Sequence, residues 1–176
     1  MGQEKSSHPV VLMTTTEHII IHHGYKMQLK LNSMETFPHG LDGLRLWEAG
    51  IVLARYVIHK SSQFRQKRVL ELGAGVGIAG IAAKKWTQST EVDITDYHPK
   101  VLENIRFNLK KNEVECPVFN LDWTSHPPQP QKYDIVIASD VVYFGSPVED
   151  LYQLLKERVF KGGKAMIVIP VRKNYA

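Results

Sequence analysis

A glycine-rich turn that joins an apolar run to a helix of small residues constrains this chain more than any other feature. Val69-Leu-Glu-Leu-Gly-Ala-Gly-Val-Gly-Ile78 passes through Glu71 to Gly73, Gly75 and Gly77, then runs into Ile78-Ala-Gly-Ile-Ala-Ala83. The pattern predicts a buried strand, a tight turn and a helix start. Glycine permits the sharp turn and lets a ligand approach the backbone with no Cβ in the way. The helix N-terminus behind it offers free N–H groups to such a ligand. The spacing departs from the dinucleotide fingerprint G-x-G-x-x-G, because Ile78 stands at the third glycine position. What stands here is E-x-G-x-G-x-G.

The rest of the chain repeats the strand-then-helix theme. Thr90–Asp96, Pro117–Leu121, Asp134–Ser139 and Ala165–Ile169 read as strands. Asp134-Ile-Val-Ile-Ala-Ser139 is apolar on both faces, as a central parallel strand must be. Leu44, Trp47, Ile51, Leu53, Ala54 and Val57 fall on one stripe, which predicts a helix over roughly 46–60. Pro99 opens a second helix to about Lys111, and Pro147 a third to about Phe160. This alternation predicts an α/β fold with a doubly wound, mostly parallel sheet. Upstream, Glu17–His22 and Met27–Leu31 flank His23-Gly24 and predict a β-hairpin. Thr124–Gln131, with three prolines, reads as a loop. The expected division is a tail and hairpin over 1–40 and a ligand-binding domain over 41–176.

Composition supports one globular domain: 176 residues, 43% hydrophobic and 23% charged, suffice for a real core. The single cysteine, Cys116, excludes an internal disulfide framework and suits a reducing compartment. No apolar run approaches the roughly 20 residues of a membrane span. The N-terminus lacks the apolar core of a signal peptide. It does match Met-Gly-x-x-x-Ser through Gly2 and Ser6, a short myristoylation pattern whose single acyl chain anchors only weakly. A formal charge of +4, scattered along the chain, does not imply nucleic acid. The expected setting is the cytoplasm, with the nucleus as a second compartment, and the expected state is a monomer.

In a doubly wound sheet the ligand lies at the carboxyl ends of the strands. After the first strand comes the glycine turn. The second ends at Asp96, about twenty residues past Gly75, where an acid can accept both hydroxyls of a ribose. Tyr97 can cover one face of an adenine. The third ends in Leu121-Asp122-Trp123, an acid and an aromatic suited to an adenine amino group and ring, although Trp123 can equally pack under the proline-rich loop. The fourth ends in Ser139-Asp140-Val-Val-Tyr143, where reacting groups are expected to meet. Asp140 can orient an amine, and the Tyr143 ring face favours a cation. The blander alternative is a helix-capping aspartate beside a core tyrosine.

Glu71 with its glycines resembles motif I of the class I methyltransferases, which bind S-adenosylmethionine. Four blocks together resemble the class I lysine methyltransferases of family 16: Gly43-Leu-Arg-Leu-Trp47-Glu-Ala49, Leu70–Gly75, Leu121-Asp-Trp123 and the D-x-x-Y motif Asp140-Val-Val-Tyr143. The blocks Thr95–Glu103, Leu121-Asp-Trp123 and Val171–Asn174 look most like the elongation factor two branch. The resemblance implies S-adenosylmethionine as cofactor and transfer of its methyl to a lysine of a protein partner. It implies that Trp47 closes over the cofactor and that Asp140 and Tyr143 line the lysine channel. The cofactor set expected is Trp47, Glu71, Gly73, Gly75, Gly77, Asp96, Tyr97, Asp122, Trp123 and Ser139. Members continue past the fifth strand with a helix and two more strands, whereas this sequence stops at Ala176. A shortened, catalytically weak interaction module is therefore one rival reading.

A nucleic-acid methyltransferase is another. Adenine-methylating enzymes carry Pro-Pro-Tyr/Phe after the fourth strand, where Val141-Val142 stand here. No metal is expected, since His18, His22 and His23 show no further ligand. Cys116-Pro117 opens the third strand, away from the expected reaction site. Lys84-Lys85 and Lys110-Lys111 read as C-terminal helix charges.

Overall fold

The computed structural model describes residues 14–22, 25–33, 41–125 and 131–171. The Gly2–Ser6 pattern, the His23-Gly24 turn, the middle of the proline-rich segment and residues 172–174 lie outside them, as do the side chains of His18 and His22. Five parallel strands form the main sheet: β3 (Arg68–Leu72), β4 (Glu91–Asp96), β5 (Val118–Asn120), β6 (Tyr133–Ser139) and β7 (Val159–Val168). They lie in the order β5-β4-β3-β6-β7, so the chain reverses its direction of winding between β3 and β6. Helices α1 (Glu48–His59), α3 (Ile78–Trp86) and α4 (Pro99–Lys111) cover one face, and α5 (Val148–Arg158) packs against β6 and β7 on the other. Strands β1 (Thr14–His22) and β2 (Tyr25–Ser33) pair antiparallel as a separate two-stranded sheet, with Leu31 buried in the main core.

The sequence period sets which side chains face which layer. Val69 points with Val92, Ile94, Ile135 and Ile137 toward α1, α3 and α4, while Leu70 and Leu72 join Tyr133, Val136 and Leu154 of the α5 layer. The α1 stripe inferred from spacing buries Leu53, Ala54 and Val57 completely. Pro99 occupies the first turn of α4, where its missing N–H is not needed, and His98 caps that helix by accepting from the Lys100 N–H at 3.2 Å. Two elements differ from the sequence reading. A short α2 (Ser61–Phe64) follows α1, its only buried side chain Phe64. Strand β7 begins six residues before Ala165 because Gly162-Gly163 makes an irregularity and not a turn: Tyr133 pairs with Val159, and Ile135 then pairs with Lys164. A Cβ on Gly163 would sit 2.8 Å from the Asp134 carbonyl, so the bulge requires glycine.

Candidate active site

The turn after β3 is built from backbone shapes that side chains rarely adopt. Gly73 and Gly75 both have φ of +57°. A Cβ on Gly73 would lie 2.9 Å from Val141 and 3.3 Å from the Trp123 ring, and one on Gly75 would lie 3.1 Å from the Gly43 carbonyl oxygen. The loop before α1 thus rides directly on the glycine turn. The Ala74 N–H donates to the Thr95 carbonyl (2.9 Å), the Thr95 hydroxyl donates to the Glu71 carbonyl (2.6 Å), and Asn108 Nδ2 donates to the Val76 carbonyl (2.9 Å). These bonds fix the ends of β3 and β4, the turn before α3 and the last turns of α4 relative to one another.

Above this turn, at the β3/β6 switch point, lies a cavity of about 520 Å³, within the range of small-molecule sites. Eight of the ten residues expected to hold a cofactor line it: Trp47, Gly73, Gly75, Asp96, Tyr97, Asp122, Trp123 and Ser139, together with Asp140 and Tyr143. Asp96 is buried. Its Oδ2 accepts from the Gly75 N–H and its Oδ1 from the His98 N–H, both at 3.1 Å. Burial holds its pKa above the ordinary carboxylate value against the pull of those bonds. Asp122 Oδ1 accepts from both the N–H (2.9 Å) and the hydroxyl (2.8 Å) of Thr124, which fixes the turn that presents Trp123. Trp123 lies against Gly73, so its ring belongs to the cavity wall. Tyr97 stands more than half exposed at the rim and meets His98 edge-on, with ring centroids 6.0 Å apart.

Two expected residues are elsewhere. Gly77 begins α3 with φ of +81° and faces Ile105 and Ile81, so its role is the helix entry. Glu71 points from β3 into the core, and its Oε2 accepts from the Gly80 N–H of α3 at 2.8 Å. The strand acid therefore caps the helix from inside. Of the helix N–H groups expected to be free for a ligand, that of Gly80 is taken by Glu71. Burial, more than any charge, pushes the Glu71 pKa up to about 8.

The reacting end of the cavity is Ser139-Asp140-Val141 with Tyr143. Asp140 adopts a positive φ of 55°, and its N–H donates to the Val168 carbonyl at 2.8 Å, which ties the turn after β6 to β7. A non-glycine residue held there stores strain of about 1–3 kcal/mol, a recurrent property of active-site turns. Ser146 Oγ accepts from the Tyr143 N–H (3.1 Å) and donates to the Tyr143 carbonyl (2.8 Å), fixing the far side of that turn. Wall residues that motif reasoning missed include Asp42, Arg45 and His98. Asp42 and Arg45 belong to the block that carries Trp47, and their place on the ligand end of the sheet, just before α1, was the available signal. The Trp47 Nε1–H donates to the Asp42 carbonyl at 3.0 Å. Cys116 lies outside the cavity wall, and burial pushes its thiol up to about 12, so it is inert as a nucleophile. Among the described residues, no group of three or more His, Cys, Asp or Glu side chains could hold a metal. No helix among them is long and apolar enough to cross a membrane.

The geometry fits a nucleoside with a charged tail: an acid for ribose, two aromatics, and glycines where a Cβ would intrude. Residues 26–175 match the family described as lysine methyltransferase. The chain belongs to that family. It is 31% identical over 135 residues to calmodulin-lysine N-methyltransferase of Arabidopsis thaliana, covering 72% of this chain and 44% of that protein. It is 32% identical over 140 residues to human protein-lysine N-methyltransferase EEF2KMT, covering 70% and 42%. A third relative, histone-arginine methyltransferase METTL23 of Xenopus laevis, is 35% identical over 123 residues, covering 66% and 53%. The chain thus spans about half the length, or less, of these relatives. The fold is shared with the 16S rRNA N2 G1207 methyltransferase of T. thermophilus, solved with AdoMet and guanosine (TM-score 0.68, 17% identity, 93% of this chain and 44% of that one).

Asp96 gives the site a pH dependence. An ionised carboxylate accepts hydrogen bonds from hydroxyls such as those of a ribose, and protonation removes an acceptor. Since burial raises the Asp96 pKa, affinity for S-adenosylhomocysteine is expected to be full above that raised value and to fall as pH drops through it. Calorimetry over a descending pH series, carried to the acid limit of the folded state, checks this, and Asp96→Asn should bind weakly with a flat profile. A wild-type profile as flat as the variant's contradicts the assignment.

Proposed function

We propose that this domain transfers methyl groups from S-adenosylmethionine to a lysine side chain of a protein substrate, in the cytoplasm. The observation that carries the reading is that one cavity joins the Asp96–glycine-turn end to Asp140 and Tyr143 at its mouth. When bound, the cofactor supplies a methyl group on a sulfonium, a leaving group that needs no metal. The protein's task is placement. The lysine nitrogen would have to arrive neutral and be held with its lone pair toward the methyl group that the cofactor would supply. A free lysine is almost fully protonated at neutral pH, with a pKa near 10.4. The carboxylates of Asp42, Asp122 and Asp140 draw the ammonium in, and the half-exposed Tyr143 ring offers a face for it. A nearby sulfonium lowers the amine's pKa by like-charge repulsion, and Asp140 holds the amine while its proton leaves to solvent.

The family description and the D-x-x-Y turn support lysine as acceptor, while the METTL23 relative, named as a histone-arginine methyltransferase, favours arginine as the alternative. The test is to incubate the protein with radiolabelled cofactor and a methyl-deficient extract, then map the product by mass spectrometry. One discrete labelled protein carrying methyllysine is the expected result. Methylarginine would transfer the reading to the alternative acceptor. Cofactor binding with no labelled protein would leave a non-catalytic binding module.

A further inference from the structure

We propose that Arg45 is the partner of the cofactor's methionine carboxylate. The inference rests on the cavity's being an S-adenosylmethionine site, and it concerns the one anionic group of that cofactor. An anion at a strand–glycine–helix junction ordinarily takes the N–H groups of the turn and of the helix N-terminus. Here four of those donors are engaged within the protein. The Ala74 N–H goes to the Thr95 carbonyl, the Gly75 N–H to Asp96 Oδ2 and the Gly77 N–H to the Ala74 carbonyl. The Gly80 N–H of α3 goes to Glu71 Oε2. With these donors taken, a cationic side chain in the wall is the strongest partner left for a carboxylate.

The charged side chains in the wall are Asp42, Asp96, Asp122 and Asp140, against Arg45 and the titratable His98. Four acids suit the ribose, the adenine amino group, the cofactor's ammonium and a lysine, but they repel a carboxylate. His98 is poorly placed for it. It stands beside Asp96, at the ribose end, and its Nδ1 accepts from the Lys100 N–H, so that nitrogen carries no proton to offer. Arg45 stands on the loop whose Gly43 rests on Gly75, and its guanidinium lies 4.7 Å from the centre of the Trp47 ring. Stacking orders the long side chain before a ligand arrives, while the planar guanidinium keeps donors for a two-pronged bond to a carboxylate.

The test uses two ligands that differ in the group at issue. S-adenosylhomocysteine carries the amino-acid tail, and 5′-methylthioadenosine keeps the nucleoside and sulfur without it. In calorimetry, Arg45→Met should weaken S-adenosylhomocysteine about tenfold, the order expected for one charge-assisted pair, and leave 5′-methylthioadenosine within about twofold. Arg45→Lys should recover part of the loss, as a point charge without the fork. Equal loss for both ligands would assign Arg45 to holding Trp47 or the loop, and an unchanged S-adenosylhomocysteine affinity would remove it from the site; either overturns the proposal. Wild-type protein that binds neither ligand overturns the proposal together with the cofactor site. Normal S-adenosylhomocysteine binding without methylation of any protein strikes only the transfer reading and leaves Arg45 standing on these affinities.

Discussion

Asp140→Asn is expected to slow methyl transfer at saturating cofactor by about 100-fold or more, within the range for losing a positioned acid–base group. Affinity for S-adenosylhomocysteine should stay within about threefold, because the proposed reading gives ribose and adenine to the Asp96 and Trp123 end of the cavity. Asparagine is the informative replacement. Asp140 has a φ of 55°, a conformation that Asn tolerates far better than Ala, so the amide removes the charge and leaves the turn in place. Alanine would mix lost charge with backbone strain and with slack in the bond from residue 140 to Val168. The measurement pairs single-turnover transfer to the substrate protein with calorimetry of the cofactor product. A variant that transfers methyl at the wild-type rate removes Asp140 from the reaction. One that loses transfer and cofactor affinity together makes Asp140 part of the cofactor site instead.

That experiment is possible because the sequence already isolates Asp140 at a strand end. The same logic located Asp96, Asp122 and Ser139: in a parallel sheet the last polar residue after an apolar run faces the ligand, and runs such as Ile135–Ala138 are long enough to read. Helix starts were legible where chemistry dictates them, at Pro99 and next to Pro147. Less was legible where tertiary contacts decide. Gly162-Gly163 carries the composition of a turn, yet the neighbouring Asp134 carbonyl makes it a bulge inside β7. Glu71 sits in the motif that binds cofactor, and no local pattern reveals that its carboxylate turns inward to α3. Arg45 was hidden for the opposite reason. A single arginine before a helix reads as ordinary surface until the fold lays its loop over Gly75.

Glu71→Gln should flatten the pH dependence of stability. In the folded chain this carboxyl is buried with a pKa of about 8, against 4.5 for an unperturbed side chain. Between those values the folded protein holds a proton that the unfolded chain releases. Stability therefore falls as pH rises from 4.5 to about 8 and levels off beyond, by an amount on the order of 5 kcal/mol at 1.36 kcal/mol per unit. For a domain of this size that is about 10–20 °C in melting temperature. Asp93 and Asp96 are shifted upward too and contribute slopes of the same sign, so the wild type minus Glu71→Gln difference is the quantity that isolates Glu71. The glutamine carbonyl can still accept from Gly80, and the variant should gain relative stability above pH 8. Thermal melts of both proteins from pH 5 to 9 measure it, and parallel curves would show that Glu71 is ionised throughout. The negative charge of Asp96 adds to burial in keeping Glu71 protonated.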